Sequence, residues 1–291
     1  MPRLFIPITS TREDRISITG EKAKYLISVL RCRKGDELIV FDGRGNCLKT
    51  NILNADRREV IVEILEKFAC DTESPINIIL VQGLLKGKKM DTVIQKATEL
   101  GVKKIIPITT DRSQPRETRK GAHWMKIAEE ASRQCGRNVI PTIHEPMYFN
   151  DWVLSLTYGT PKGFIFYEEG GVKISEAVVG LKLSLKESVT DSRTNNPPSS
   201  SRCESTPTFS ERINPPTPPS NKGGLGGITE KRGEGGFFVI IGPEGGFTKG
   251  EVAIAEEKGF IVTSLGRRIL RAETAAISAI TLVQFLLGDL G

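Results

Sequence analysis

The chain has 291 residues, with 41 lysines and arginines against 35 aspartates and glutamates, for a formal net charge of +6. That length accommodates one large domain or two ordinary ones, and a hydrophobic content of 38% builds a core if part of the chain stays outside it. No apolar run approaches the ~18 residues of a membrane-spanning helix, and MPRLFIPI lacks the basic-then-apolar pattern of a signal peptide. Cys32, Cys47, Cys70, Cys135 and Cys203 are scattered, and the two histidines, His123 and His144, stand far from any cysteine cluster. Neither a disulfide framework nor a metal site is expected. The composition predicts a soluble, cytoplasmic protein of a reducing compartment, with no metal and no membrane contact. The modest basic excess fits a nucleic-acid partner, because lysine and arginine neutralise phosphate whatever the sequence, and it fits many other partners too.

Up to about residue 70, short β-like runs alternate with one helix. LFIPI, ISIT, ELIVFDG and EVIVEILE read as strands, and Asp42–Gly43 marks a turn. EKAKYLISVLR, from Glu21 to Arg31, has apolar residues at helical spacing. Several short strands with one helix suggest a small barrel. Arg3, Arg12, Arg15, Arg31, Arg33, Lys34 and Arg44 are available to phosphates, although a solvated charged surface is the simpler reading of any one of them.

From Pro75 the pattern changes. INIILVQGL is a buried-strand run, KKMDTVIQKATELG an amphipathic helix stopped by Gly101, and VKKIIPIT the next strand. This is a βαβ signature, hence a parallel sheet, and the domain boundary is expected near residue 72, where CDTESP loses its periodicity. Lys86, Lys88 and Lys89 sit at the strand-to-helix turn, where a phosphate can meet backbone amides. The spacing in GLLKGKK is not that of a Walker A loop, and an ordinary basic turn is an equal reading. Arg112, Arg116, Arg119 and Lys120 follow. In the helix AHWMKIAEEASRQC, Trp124 reads as core rather than as a base-stacking platform. Arg133 and Arg137, four apart, are expected on one helical face. VIPTIHEP reads as another strand, with His144 structural, and KGFIFYEEG as a further one.

Residues from about 185 to 235 are proline, serine, threonine, asparagine and glycine with almost no core formers. Such a stretch cannot bury enough apolar surface to offset its ordering entropy, so disorder is expected there.

Phe237 to Gly259 is the most informative segment. FFVII reads as a buried parallel strand, broken by Gly242, Pro243, Glu244, Gly245 and Gly246. Thr248 followed by Glu251 forms a capping box that opens a helix ending near Gly259. Ligands bind at such carboxyl-edge turns in open α/β sheets, although an ordinary tight turn explains the glycines equally well. Downstream, IVTSLG is a strand ending in Gly266, followed by a basic loop and a long apolar helix. Two adjacent strand-ends of this kind are expected to wall one pocket.

IGPEGGF with LGRRILRAETA, QGLLKGKKMDTVIQKATELGVKKIIPI, SRQCGR and VLRCRKGDELIVFDGRG together resemble the RsmE family. These are SPOUT-class methyltransferases that methylate N3 of a uridine in small-subunit ribosomal RNA with S-adenosyl-L-methionine. The resemblance implies an α/β fold: a knotted (trefoil) SPOUT-type parallel-sheet domain over 73–291, preceded by a small PUA-like RNA-binding β-barrel over 1–72. The stretch at about 185–235 is then an insertion where the family has a short connection. It implies small-subunit ribosomal RNA or the assembling subunit as partner, and a homodimer packed through TAAISAITLVQFLL, for which a buried core helix is the equal alternative.

The resemblance also assigns site residues. Tyr167, Ile240, Ile241, Gly242, Gly245, Leu265, Gly266, Ile269 and Leu270 are expected to hold the cofactor, with Glu168 available to a ribose hydroxyl. Arg3, Arg31, Lys88, Arg112, Arg133 and Arg137 are expected to contact RNA. Uridine N3 carries a proton and is a poor nucleophile until that proton leaves, so the site needs a base or a cation that stabilises the uracil anion. Arg271 is the candidate cation, and Glu244 and Glu273 are candidate bases or orienting carboxylates. Catalysis by positioning and electrostatics alone stays open. So do an inactive RNA-binding assembly factor and a methyltransferase of another RNA. The absent Walker A loop and a carboxylate beside the glycines argue against a phosphate-binding NTPase.

Overall fold

The computed structural model describes residues 1–7, 14–69, 72–114, 120–156, 162–180 and 236–291. The stretch expected to be disordered, together with Arg12, Arg116 and Arg119, lies outside these residues.

The N-terminal part is a five-stranded sheet in the order β1-β3-β4-β5-β2. It comprises β1 (Arg3–Phe5), β2 (Arg15–Thr19), β3 (Glu37–Phe41), β4 (Asn46–Ala55) and β5 (Glu59–Ala69). Four of these strands match the expected ones; β4 was not expected, and its buried Cys47, Leu48, Thr50 and Ile52 carry a weak alternation. The Asp42–Gly43 turn is present: the Asp42 carboxylate accepts from the backbone of Arg44 and Asn46 at 2.8 and 3.1 Å. The expected single helix is α1 (Gly20–Lys24) continued by a π-helical turn over Tyr25–Val29. Arg31 then takes a left-handed φ of 56°. Leu26, Leu38, Val40, Val60 and Val62 fill the core between helix and sheet.

The second part is a parallel sheet in the order β11-β13-β10-β12-β6-β7-β8, with β9 beside β7. Its strands are β6 (Ile78–Gly83), β7 (Lys104–Thr109), β8 (Thr142–Ile143), β9 (Met147–Tyr148), β10 (Lys162–Phe166), β11 (Val172–Lys173), β12 (Phe237–Ile241) and β13 (Ile261–Ser264). Helices α2 (Lys89–Glu99), α3 (Gly121–Cys135), α4 (Phe149–Ser155), α5 (described over 174–180), α6 (Lys249–Glu257) and α7 (Ala272–Leu287) cover it. The central strands β6, β7, β10 and β12 are largely apolar because both of their faces are covered. Ile78, Leu80, Val239 and Ile241 pack under α2, α3 and α7, while the alternate residues Ile79, Val81, Phe238 and Ile240 pack under α4 and α6.

One expectation at this level is corrected. Arg133 and Arg137 do not share a helical face. Helix α3 ends at Cys135, and Gly136 turns the chain with a φ of 85°. Arg137 therefore points inward and is only 3% exposed. Its Nε and Nη2 donate to the two carboxylate oxygens of Glu73 at 3.1 and 2.6 Å, and its Nη1 donates to the carbonyls of Thr98 and Val102 at 2.7 and 2.9 Å. A sealed guanidinium with its donors so occupied is not an RNA contact. The segment it anchors joins the two sheets: Gly45 N–H donates to Asn138 O at 3.2 Å and Ile140 N–H to Gly43 O at 3.1 Å. Arg3 is also taken up at this junction. It donates to the Asn138 side chain and to Arg137 O, and lies 5.4 Å from the centre of the Phe41 ring.

Breaking a buried ion pair by removing one partner strands the other charge. Arg137→Ala is expected to lower the unfolding free energy by about 3 kcal/mol in urea denaturation. A loss below about 1 kcal/mol would show that the pair does not anchor the junction.

Candidate functional site

The carboxyl ends of β12, β10 and β13, with the start of α7, surround a cavity of about 600 Å³. The two glycine-bearing turns do meet there, but they are not on adjacent strands. β10 lies between β12 and β13 and pairs with both. It contributes Phe166, Tyr167 and Glu168 to the wall.

The first turn follows β12. Gly246 N–H donates to Pro243 O at 3.0 Å, closing it. Gly246 has a φ of 69°, and a Cβ there would lie 2.3 Å from a Glu168 carboxylate oxygen. No other residue fits without displacing that side chain. The expected capping box is present, with Thr248 and Glu251 exchanging bonds, and it opens α6. Neighbouring loops hold the turn from outside. The Gln82 amide donates to Gly242 O at 3.3 Å. Arg112 Nη1 donates to Gly245 O and to Phe247 O, both at 3.2 Å. Glu244 Oε1 accepts from Lys86 N–H at 3.1 Å and from Lys89 Nζ at 3.0 Å. Partial burial alone would raise the Glu244 pKa, but these donors outweigh it and hold the carboxyl below the ordinary glutamate value. A carboxylate so held is a clamp between loops and a weak proton acceptor.

The second turn follows β13. Gly266 has a φ of 110°, and its N–H donates to Ser264 Oγ at 3.1 Å. Arg267 and Arg268 follow on the surface, and Ile269 is 85% exposed at the cavity mouth. Arg271 takes the N-cap position of α7 with extended backbone and makes no side-chain cap bond. Its exposed side chain lines the cavity.

Of the residues expected to hold a cofactor, Tyr167, Ile241, Gly242, Leu265, Gly266, Ile269 and Leu270 line this cavity. Ile240 and Gly245 do not. Ile240 is wholly buried in the middle of the sheet, in register with Ile165 and Val81, and its side chain packs on the opposite face. Gly245 faces the Arg112 backbone instead. Among the catalytic candidates Arg271 and Glu244 line the cavity, and Glu273 does not. Glu273 lies in the first turn of α7, with a buried Oε2 that has no partner among the described residues. The Tyr167 hydroxyl donates to Glu169 Oε2 at 3.1 Å; burial, that bond and the nearby Glu169 and Glu168 charges raise its pKa.

None of the six residues expected to contact RNA lines the cavity. Arg31 and Lys88 are exposed elsewhere on the surface. Arg133 is paired with Glu130 on its own helix, Nε to Oε2 at 2.9 Å, and lies 5.2 Å from the centre of the Tyr25 ring. Phe166, Ser264, Arg267, Arg268 and Phe247 also line the cavity and were not expected there. The place of β10 in the sheet, which brings Phe166 in, has no local sequence signal. The two arginines stand in the quoted basic loop and were legible there. Among the described residues there is no cluster able to hold a metal and no helix long and apolar enough to cross a membrane.

The family model described as an RNA methyltransferase domain matches residues 72–190 and 218–284, and that of an RNA methyltransferase PUA domain matches 18–65. The ribosomal RNA small subunit methyltransferase E of Buchnera aphidicola from Schizaphis graminum is 29% identical, covering 100% of this chain and 98% of its own. That of Bacillus subtilis is 27% identical, over 98% and 96%. Among solved structures, the Neisseria gonorrhoeae enzyme of the same name, bound to S-adenosyl methionine, superposes with a TM-score of 0.75 at 26% identity over the full length of both chains. A Legionella pneumophila putative methyltransferase in complex with the same cofactor gives 0.73 at 27% identity over 99% and 98%. The chain belongs to the RsmE family of RNA methyltransferases, with a PUA-type domain ahead of the methyltransferase domain.

Proposed function

We propose that this protein methylates N3 of a uridine in small-subunit ribosomal RNA, taking the methyl group from S-adenosyl-L-methionine in the cavity between the turns after Ile241 and Leu265. The observation that carries the proposal is the cavity itself. Its volume of about 600 Å³ suits a nucleoside-sized ligand, since such sites span roughly 300–1,000 Å³. Phe166, Ile241, Leu265 and Leu270 offer apolar walls, and Glu168 is a carboxylate within reach of ribose hydroxyls. The Neisseria relative binds this cofactor on the same fold.

The bound cofactor supplies an electrophilic methyl on a sulfonium. The protein orients the uracil ring, excludes water and stabilises charge as the N3 proton leaves. Arg271, exposed at the cavity, is the cation for the developing uracil anion. Glu244 orients, as the Lys86 and Lys89 donors require. Glu273 stands behind the wall and acts through α7. Arg31 and Lys88 are the surface cations for RNA phosphates. We further propose a trefoil-knotted methyltransferase domain over 73–291, a PUA domain over 1–72, and a homodimer. The dimer reading draws on the apolar side chains that α7 and its entry loop leave in solvent, Phe285 at 63% and Ile269 at 85%. A homodimer buries such a surface.

The direct test is transfer of labelled methyl from S-adenosyl-L-methionine to small-subunit RNA, with the product nucleoside identified. Labelled N3-methyluridine is the expected result; no transfer, or transfer to another base, overturns the proposal. Arg271→Ala is expected to lower kcat about 100-fold while leaving cofactor affinity within a few-fold, the pattern of charge stabilisation in the transition state. An unchanged kcat removes Arg271 from the chemistry. Glu244 has a depressed pKa, so its stabilising contribution is complete above the ordinary glutamate pKa and disappears as pH falls through the lower folded value. Glu244→Gln is therefore expected to reduce Tm at neutral pH and to match the parent in acid. If the Tm difference is the same at every pH, the clamp is not ionic.

A further inference from the structure

Arg112 was expected to contact RNA, yet its side chain is turned onto the glycine turn. Its Nη1 bridges two backbone acceptors, Gly245 O and Phe247 O, each at 3.2 Å. A second observation is independent of those bonds. A Cβ on Gly245 would lie 2.9 Å from Arg112 Cβ and 3.0 Å from Arg112 O, so the turn lies flat against the Arg112 backbone. The segment beneath is itself fixed. Ser113 N–H donates to Thr110 O at 3.1 Å, Thr110 N–H donates to Ser113 Oγ at 2.9 Å, and both side chains are buried. Asp111 N–H donates at 3.0 Å to Glu251 Oε1, the carboxylate whose other oxygen closes the capping box with Thr248.

We propose that Arg112 is a positioning residue for the cofactor turn: it grips the turn's outer carbonyls so that Gly242, Pro243 and Gly246 hold a fixed face toward the cavity. The proposal rests on the methyltransferase reading of that cavity. A turn with three glycines has unusual backbone freedom, and binding a ligand to it unheld would cost the entropy of ordering it. A charged donor to two carbonyls supplies that order beforehand. Lysine does not replace it, because an ammonium on a flexible stem is not held in direction by a planar group. The loop after β7 thus sets the geometry of the wall after β12, two strands away.

The test uses the full-length protein and three variants, Arg112→Ala, Arg112→Lys and Gly245→Ala. S-adenosyl-L-methionine affinity is measured by calorimetry, Tm by thermal melting, and RNA affinity by salt titration with a small-subunit RNA fragment. Arg112→Ala and Arg112→Lys are each expected to weaken cofactor binding about ten-fold, with KM for the cofactor rising and kcat retained. Gly245→Ala should weaken it similarly, and adding it to Arg112→Ala should deepen the loss by less than the product of the two. The slope of log affinity for RNA against log salt should stay that of the parent. Unchanged cofactor affinity with a slope smaller by about one would make Arg112 a phosphate contact and overturn the proposal. A lowered Tm with cofactor affinity intact would make it merely structural and overturn it as well. If Arg112→Ala fails to fold, Arg112→Lys and Gly245→Ala decide the matter by the same criteria. If the parent protein binds no cofactor, the methyltransferase reading fails first and the proposal falls with it.

Discussion

The structure depends on how the turn between Gly242 and Thr248 is held. By itself this segment is a glycine-rich break after a strand, with carbonyls and amides that lack strand partners. Four neighbours hold it: Gln82 from the end of β6 and Arg112 after β7 donate to its carbonyls, and Lys86 and Lys89 donate to the Glu244 carboxylate. Each bond is modest in net energy, on the order of 1 kcal/mol or somewhat more where a charge takes part. Their joint effect is geometric. They tie the carboxyl ends of β6, β7 and β12 into one rim, and that rim forms one side of the cavity.

The other side is built differently. The turn after β13 has few outside partners among the described residues, a run of exposed residues from Gly266 to Ile269, and an arginine at the start of a long helix. The cavity therefore has one rigid wall and one exposed wall. A rigid wall with donors and acceptors already committed suits recognition of a small ligand, whose orientation it fixes. An exposed, cationic wall suits a partner that arrives from solvent carrying negative charge. The division matches a reaction that joins a small methyl donor to a nucleotide of a large RNA.

Much of this was legible in the sequence, and the reasons differ from element to element. The strand Phe237–Ile241 and the capping box at Thr248 were readable because each is a local pattern with a local cause. The Lys89–Glu99 helix was readable from its amphipathic spacing, with Gly101 beyond it as a stop. Strand β4 was missed because a half-buried strand with asparagine and lysine on its open positions, and a threonine among its buried ones, alternates weakly. The intervening position of β10 was illegible because strand order is a long-range property. Arg137 shows the limit most clearly: spacing of four on a helix predicts a shared face, but one left-handed glycine at 136 ends the helix and sends the second arginine into the interior. Glu244 shows another limit. Sequence names a carboxylate beside a glycine turn, while only the fold shows Lys86 and Lys89 reaching it.

The account's central claim is that the turns after Ile241 and Leu265 together grip a methyl-donating nucleoside. A crystal structure of the protein grown with S-adenosyl-L-methionine tests this most directly. The account predicts the ligand in the cavity between those two turns, with main-chain contacts from Gly242 and from the Leu265–Leu270 loop. Ligand density elsewhere on the protein, or a cavity left empty at saturating ligand, would contradict it.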